Sequence, residues 1–485
     1  MSRSPRATPS HATPQPSRAA IPPVALTEPG AVLLVATYEL GHQPLTLAAP
    51  LAALREAGFA PTARDTSVEE LSDADIRAAR LVAISTPMHT ALRLGLRVAE
   101  RVRALNPGAV IAFYGLYAAL NADMLLRGRA DAVFGGEYLR PLLALAQALA
   151  SGRDVTASPS PERSGKREAK PAPLAIIPTR DTLPGLDRYA RLARGGALTL
   201  AGYVETTRGC LHTCLHCPIT PVYGGRFFVN PRAAVLEDIR RQVRAGAGHI
   251  TFGDPDFFNG PGHGMAIVRA LHEEFPHVTF DVTIKVEHLI ERRALVPELG
   301  QLGCAFVVSA VESLSPTVLA RLAKGHTRAD VEEALRILDA AGIPMRPTFV
   351  AFTPWTTASD YLEVLDFIAA HGLIEHVDPI QYAIRLLVPP GSALLDTPDA
   401  ATWIGPLDEA TLSHTWTHPD PRMDALQREV AALVEAATQL PARETFAAIR
   451  ALAAERLGQP FPPEERAPEV RPPHPIPHLT EAWFC

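Results

Sequence analysis

The sequence predicts an α/β protein built from two successive parallel-sheet domains. Short apolar runs alternate with helix-compatible stretches in two blocks, the second block repeats on a longer scale than the first, and Pro/Ser/Ala-rich stretches flank the first block. At 485 residues the chain exceeds one typical domain of roughly 100–200 residues. Its 47% apolar and 20% charged residues are those of a globular protein with a large core, not of a disordered chain.

Residues 1–28 read as a disordered arm and 151–175 as a linker, since both lack apolar periodicity. Between them, in 29–150, VLLVAT (32–37), LVAIST (81–86), VIAFYG (110–115) and AVFGG (132–136) read as strands, with a weaker one near Pro61–Asp65 and a helix over 91–105. Five strands separated by helices suit a flavodoxin-like, doubly wound sheet. Its ligands would sit beyond the strands' carboxyl ends, near His42, Met88, Tyr114–Tyr117 and Gly135–Glu137. The second block, 176–395, predicts strands near 203–207, 249–253, 278–284, 304–310, 345–351 and 380–385, a partial (β/α)6 barrel related to the TIM barrel. From 396 to 485 a helical extension (421–457) runs into a Pro-rich tail.

A net charge of −6 with interspersed signs gives no large basic field, which argues against a dedicated nucleic-acid binder. No apolar run of about 18 residues appears, and the first residues lack the apolar middle of a secretory signal, so a cytoplasmic protein without membrane contact is expected. Three of the five cysteines lie within eight residues, which points to metal or redox chemistry rather than a disulfide framework.

Those three stand in VETTRGCLHTCLHCPITPVYGG (204–225), directly after the first strand of the second block. Cys210, Cys214 and Cys217 in a Cys-x3-Cys-x2-Cys loop can hold three corners of a [4Fe–4S] cluster and leave one iron open. S-adenosylmethionine can chelate that iron, and an electron then cleaves its sulfonium bond to a 5′-deoxyadenosyl radical. The competing reading is a structural zinc site completed by His212 or His216, as in a non-catalytic adaptor.

Over roughly 195–395 this loop and later segments resemble the radical S-adenosylmethionine (SAM) superfamily. The resemblance implies that His216 lies against the adenine. GDPDFF (253–258) resembles the segment that receives the cofactor's ammonium, which assigns cofactor contacts to Gly253, Asp254 and Pro255; a plain turn is the alternative. VVSAVES (307–313) is similar to a ribose-holding segment, implicating Glu312 with Ser309 in support. RLAKGHTRAD (321–330) places Lys324 opposite the cofactor carboxylate, against the alternative of a helix-terminus lysine. LLVPPGSALL (386–395) resembles the Pro-Gly-Thr segment of cobalamin-associated members. Asp256, Lys285, His326 and Arg346 form the pool for substrate or supporting contacts, and Cys304 reads as a core residue. No catalytic residue is assigned beyond the cluster ligands.

CPITPVYGGRFF, HITFGDPDFFNGP, TIKVEHL, SAVES, FVAFTPWTT and WTHPDPR look most like bacterial radical SAM (seleno)proteins with a CUAEP or CCAEP tail. In that group PIP-x-LTE-x-W-[FY] continues into Cys-Sec-Ala-Glu-Pro. Here PIPHLTEAWFC stops at Cys485, so a selenocysteine codon read as a stop is expected, with Cys485 half of a redox pair; a frayed terminal cysteine is the alternative. The first domain looks like the cobalamin-binding domain of radical SAM relatives, although Glu39-Leu40-Gly41-His42 does not reproduce the Asp-x-His-x-x-Gly motif. Cobalamin binding, with His42 or His89 as cobalt ligands, competes with a domain that only positions substrate, and a corrinoid carrier remains the non-enzymatic rival. The resemblance further implies an electron donor such as flavodoxin or ferredoxin and a small-molecule or peptide substrate. With cobalamin, methyl transfer follows; without it, rearrangement, sulfur or selenium insertion, or peptide modification stays open.

Overall fold

In the computed structural model, residues 26–153, 174–438, 440–458 and 476–481 are described. Most of the expected arm and linker, the Pro-rich stretch 459–475 and Cys485 lie outside them.

The first domain holds β1 (Val32–Ala36), β2 (Thr62–Asp65), β3 (Leu81–Ser85), β4 (Val110–Tyr114) and β5 (Ala132–Phe134) in one sheet ordered β2-β1-β3-β4-β5. All four pairings are parallel, and the order is that of a flavodoxin-like fold. Side-chain alternation sets the layers. Val32, Leu34 and Ala36 enter one apolar cluster with the helices Leu45–Glu56 and Leu139–Ala150, and Leu33 and Val35 enter another with the helix His89–Leu105. Both faces are therefore covered, which is why these strands read as unbroken apolar runs.

The second domain is a half-barrel. Following β6 (Arg191–Arg194), it contains β7 (Ala197–Val204), β8 (Thr207–Gly209), β9 (Phe227–Val229), β10 (His249–Phe252), β11 (Thr279–Thr283), β12 (Cys304–Glu312) and β13 (Met345–Phe349). The strands β7, β10, β11, β12 and β13 pair in parallel in that order, and β8 and β9 form a small separate hairpin. The expected strand at 380–385 is instead a 3-10 turn, Pro379–Tyr382, with one bridge between Phe352 and Arg385. Pro379 carries no N–H for a ladder, and the Gln381 side-chain oxygen accepts from the Phe349 amide at 2.9 Å, taking a donor that a sixth strand would have used.

Beyond the barrel, β14 (Ile404–Asp408) and β15 (Ser413–Trp416) make a hairpin that the helical expectation missed. The helices Pro421–Ala436 and Ala442–Leu457 send Met423, Leu426, Val430, Phe446 and Ile449 into the barrel core. Finally β16 (His478–Leu479) adds antiparallel to β6, and Glu481 accepts from the Tyr38 hydroxyl at 3.0 Å, tying the chain's end back to the first domain.

Candidate active site

The cysteine loop is fixed at both ends before any cofactor is considered. Where β7 ends, Asp254 accepts from the amides of Thr206 and Thr207 at 2.8 and 2.7 Å and from both their hydroxyls at 2.6 Å. Three of those bonds end on Oδ1 and one on Oδ2, and the residue is 1% exposed. Asp254, expected to help orient the cofactor, thus anchors the strand that launches the loop. Gly253 must be glycine, because a Cβ there would lie 1.9 Å from the Tyr203 hydroxyl. Gly209 turns into the loop at φ +81°, a conformation other residues rarely adopt.

The three thiols then converge on the barrel's carboxyl end. Cys210 and Cys214 are buried and Cys217 is partly so. The Asn259 carboxamide oxygen lies 3.7 Å from Cys210 Sγ and accepts from the Leu211 amide at 3.1 Å, while the Lys285 ammonium lies 3.6 Å from Cys214 Sγ. Burial raises the Cys210 thiol and pushes Cys217 up to about 12, so neither ionises readily until a metal supplies the compensating charge.

Beside the loop, Glu312 gathers two partners. It occupies a bulge of β12 at φ +65°, the left-handed region that costs a non-glycine residue about 1–2 kcal/mol. That turn brings its carboxylate 3.3 Å from His216 Nε2 and 3.6 Å from the Lys324 ammonium, itself only 2% exposed. Burial alone would raise Glu312, but the Lys324 charge and the His216 hydrogen bond prevail and hold it down at about 2. Lys285 also bonds Glu287 at 3.0 Å and the Lys324 carbonyl at 3.4 Å. His326 donates from Nε2 to the Val311 carbonyl at 3.1 Å, and burial followed by the Lys324 charge lowers its pKa to about 4.

The other expected contacts divide. Pro255 is partly buried, whereas Ser309 is fully buried and donates to the Ile284 carbonyl at 2.8 Å, a peg between β12 and the end of β11. Arg346 pairs with Asp378 at 2.8 Å, and Cys304 is buried in the core. Sequence reasoning passed over Asn259, Glu287 and His288. The last two stand in TIKVEHL, a segment noticed for resemblance but not for its acid and imidazole.

The carboxyl end of the first sheet meets this barrel directly. Arg208, on β8, forms a two-bonded ion pair with Glu137 at 2.8 and 2.7 Å, and the helix Ile219–Tyr223 lies against Gly136 through Val222. His42 is buried with its ring 4.7 Å from that of Tyr203, and burial drops its pKa to about 4. His89 Nε2 is 2.7 Å from the Thr411 carbonyl. Of the two alternative cobalt ligands, His42 is buried and His89 is partly exposed. A small cleft of about 40 Å³ between the domains is lined by Leu45, Leu139, Glu205, Arg208 and Asn230 among others.

With this geometry in view, residues 204–368 match the radical SAM superfamily. An uncharacterized methyltransferase of Pyrococcus horikoshii is 25% identical over 282 residues, 56% of this chain and 60% of that protein. A putative methylthiotransferase of Methanocaldococcus jannaschii is 26% identical over 34% of this chain and 38% of its own length. The chain therefore spans less than two thirds of either relative. Among solved structures, the cobalamin-dependent radical SAM enzyme OxsB superposes with a TM-score of 0.66 at 15% identity, over 84% of this chain and 67% of that one. The radical SAM methyltransferase TsrM of Kitasatospora setae gives 0.56 at 18%, over 70% and 71%. At such identities the likeness is one of fold, and it extends across both domains. Enzymes of this superfamily use a [4Fe–4S] cluster and SAM. Residues 204–368 thus carry the likeness to the radical SAM superfamily, on a chain whose two-domain fold resembles that of OxsB.

Proposed function

We propose that the chain cleaves SAM reductively at a [4Fe–4S] cluster held by Cys210, Cys214 and Cys217, generating a 5′-deoxyadenosyl radical for use on a substrate. The observation that carries this reading is the convergence of three unpaired thiols with the Glu312–His216–Lys324 group on one barrel end. When bound, the cluster supplies the electron that breaks the sulfonium bond. The chain's residues do the rest. Glu312 is ionised at neutral pH and can accept from the cofactor's amino or ribose groups, Lys324 opposes its carboxylate, and His216 offers an imidazole face beside the adenine. Asp254 and Asn259 keep the loop in place, and Lys285 puts positive charge next to Cys214. An electron donor such as flavodoxin or ferredoxin is the proposed partner.

Methyl transfer with cobalamin is the second reading, favoured by the OxsB-like arrangement of two domains. His42 is buried against Tyr203 and His89 Nε2 bonds the Thr411 carbonyl, and Arg208 and the helix Ile219–Tyr223 pack against the first sheet's carboxyl end. No cobalt ligand is assigned, and no step is routed through a corrinoid.

The test is electron paramagnetic resonance of the anaerobically reconstituted, reduced chain with and without SAM. A cluster signal that changes on adding SAM supports an open iron; a signal indifferent to SAM, or a chain that holds only zinc, contradicts it.

A further inference from the structure

Behind the cysteine loop lies a second group of metal-ligating atoms that neither the cluster nor SAM uses. His212 Nε2, Asp256 Oδ2 and His288 Nδ1 all lie within 4.8 Å of one another. His212 comes from the loop between Cys210 and Cys214, Asp256 from the turn after β10, and His288 from the helix Val286–Glu291 after β11. Three separate elements thus aim at one point. Asp256 is fully buried, between the buried rings of Phe257 and Phe258 and the barrel, and its Oδ1 is already taken by the Phe258 amide at 3.0 Å.

The remaining oxygen is where an unmet demand appears. Asp256 Oδ2 is 2.7 Å from His288 Nδ1 and 3.6 Å from His212 Nε2, yet none of the three atoms makes a hydrogen bond of acceptable direction. At 2.7 Å only the angle can fail, so the His288 ring axis points beside the oxygen and not at it. With His212 Nε2 also nearby, three ligand atoms lie close enough together to face a shared cation. A buried carboxylate oxygen left without a directed hydrogen bond is costly, and a divalent ion at Oδ2 would remove that cost. The two imidazoles and one carboxylate are a familiar set for zinc or ferrous iron, at metal–ligand distances of about 2.0–2.2 Å.

We propose that His212, Asp256 and His288 bind one divalent first-row cation, Zn²⁺ or Fe²⁺, at a mononuclear site separate from the cysteine cluster. Three protein ligands leave coordination positions open, and His212 is the partly exposed member, so water or a substrate oxygen enters from the loop side. The site does not depend on the cluster being assembled.

Cobalt(II) is the probe, because its visible bands report the ligand type. The full chain is prepared with Cys210, Cys214 and Cys217 all changed to alanine, so that thiolates cannot compete. The expected result is one equivalent of Co²⁺ bound with weak visible bands and no sulfur charge-transfer band, reduced at least tenfold in affinity by Asp256→Asn and by His288→Gln. In the otherwise wild-type, cluster-loaded chain, metal analysis should find one non-cluster cation that Asp256→Asn removes while the cluster absorption is kept. Absence of Co²⁺ binding in the triple variant, or binding that both substitutions leave unchanged, overturns the proposal. So does loss of helical circular dichroism in the triple variant alongside a wild-type chain that carries no extra cation.

Discussion

Two sheet ends meet at the centre of this molecule, and they are built on opposite electrostatic plans. At the barrel end, charges are retained and mostly paired: Glu312 with Lys324 and His216, Lys285 with Glu287, while Asp256 stands beside two imidazoles. At the flavodoxin-like end, burial raises Glu39 to about 8 and lowers His42 to about 4, the rings of Tyr114 and Tyr138 pack nearby, and Glu137 is tied to the barrel's Arg208. The same parallel-sheet logic thus yields a site prepared for a charged, zwitterionic ligand and a neutral, aromatic packing face. The contrast assigns the chemistry to the barrel and the support to the first domain.

The largest test of that division is to remove the thiols. Alanine at any one of Cys210, Cys214 or Cys217 should abolish iron–sulfur absorption and SAM cleavage, whereas His42→Ala should leave both. Next comes Glu312→Gln, which leaves Lys324 buried without its counter-charge; SAM affinity by equilibrium dialysis should fall about 10–100-fold, the equivalent of about 1.5–3 kcal/mol for a charged hydrogen bond. If affinity is unchanged, the paired charges are structural.

The first domain should respond to pH instead. Glu39 has a folded pKa above its ordinary value, so the native state binds more protons than the unfolded one between about pH 4.5 and 8. Stability from this group is complete below that window and is lost as pH rises through it, by at most a few kcal/mol. Glu39→Gln should flatten the dependence of the thermal midpoint over the same range; an unchanged slope would place the origin elsewhere. The smallest effect is expected at Lys285→Met. Removing the ammonium 3.6 Å from Cys214 Sγ should lower the cluster's midpoint potential by roughly 40 mV, the equivalent of about 1 kcal/mol for a screened charge.

Legibility in the sequence followed the same divide. Strands buried on both faces, such as Val32–Ala36 and Leu81–Ser85, announce themselves as apolar runs, and the spacing of the cysteines states their chemistry without help from the fold. Short edge strands do not: Arg191–Arg194 is half polar, and His478–Leu479 is a strand only because β6 lies beside it. The sixth barrel strand failed because Gln381 serves the edge with its side chain, which no periodicity reveals. Around the site, Glu312 and Lys324 were named from local motifs, but their pairing needs the left-handed turn at 312. Asp254 and Asp256 stand two residues apart in one segment and face different partners, Thr206 and Thr207 for one, His212 and His288 for the other. Sequence could propose Asp254 for the cofactor and Asp256 for a substrate or supporting contact; only the fold shows which partners each one faces.

The most direct measurement is anaerobic turnover of SAM by the reduced, cluster-loaded chain, with 5′-deoxyadenosine quantified against Cys214→Ala. Product from the parent and none from the variant is the predicted result. Equal amounts from both, or none from a parent whose cluster is intact and reduced, would contradict a barrel end built to cleave SAM.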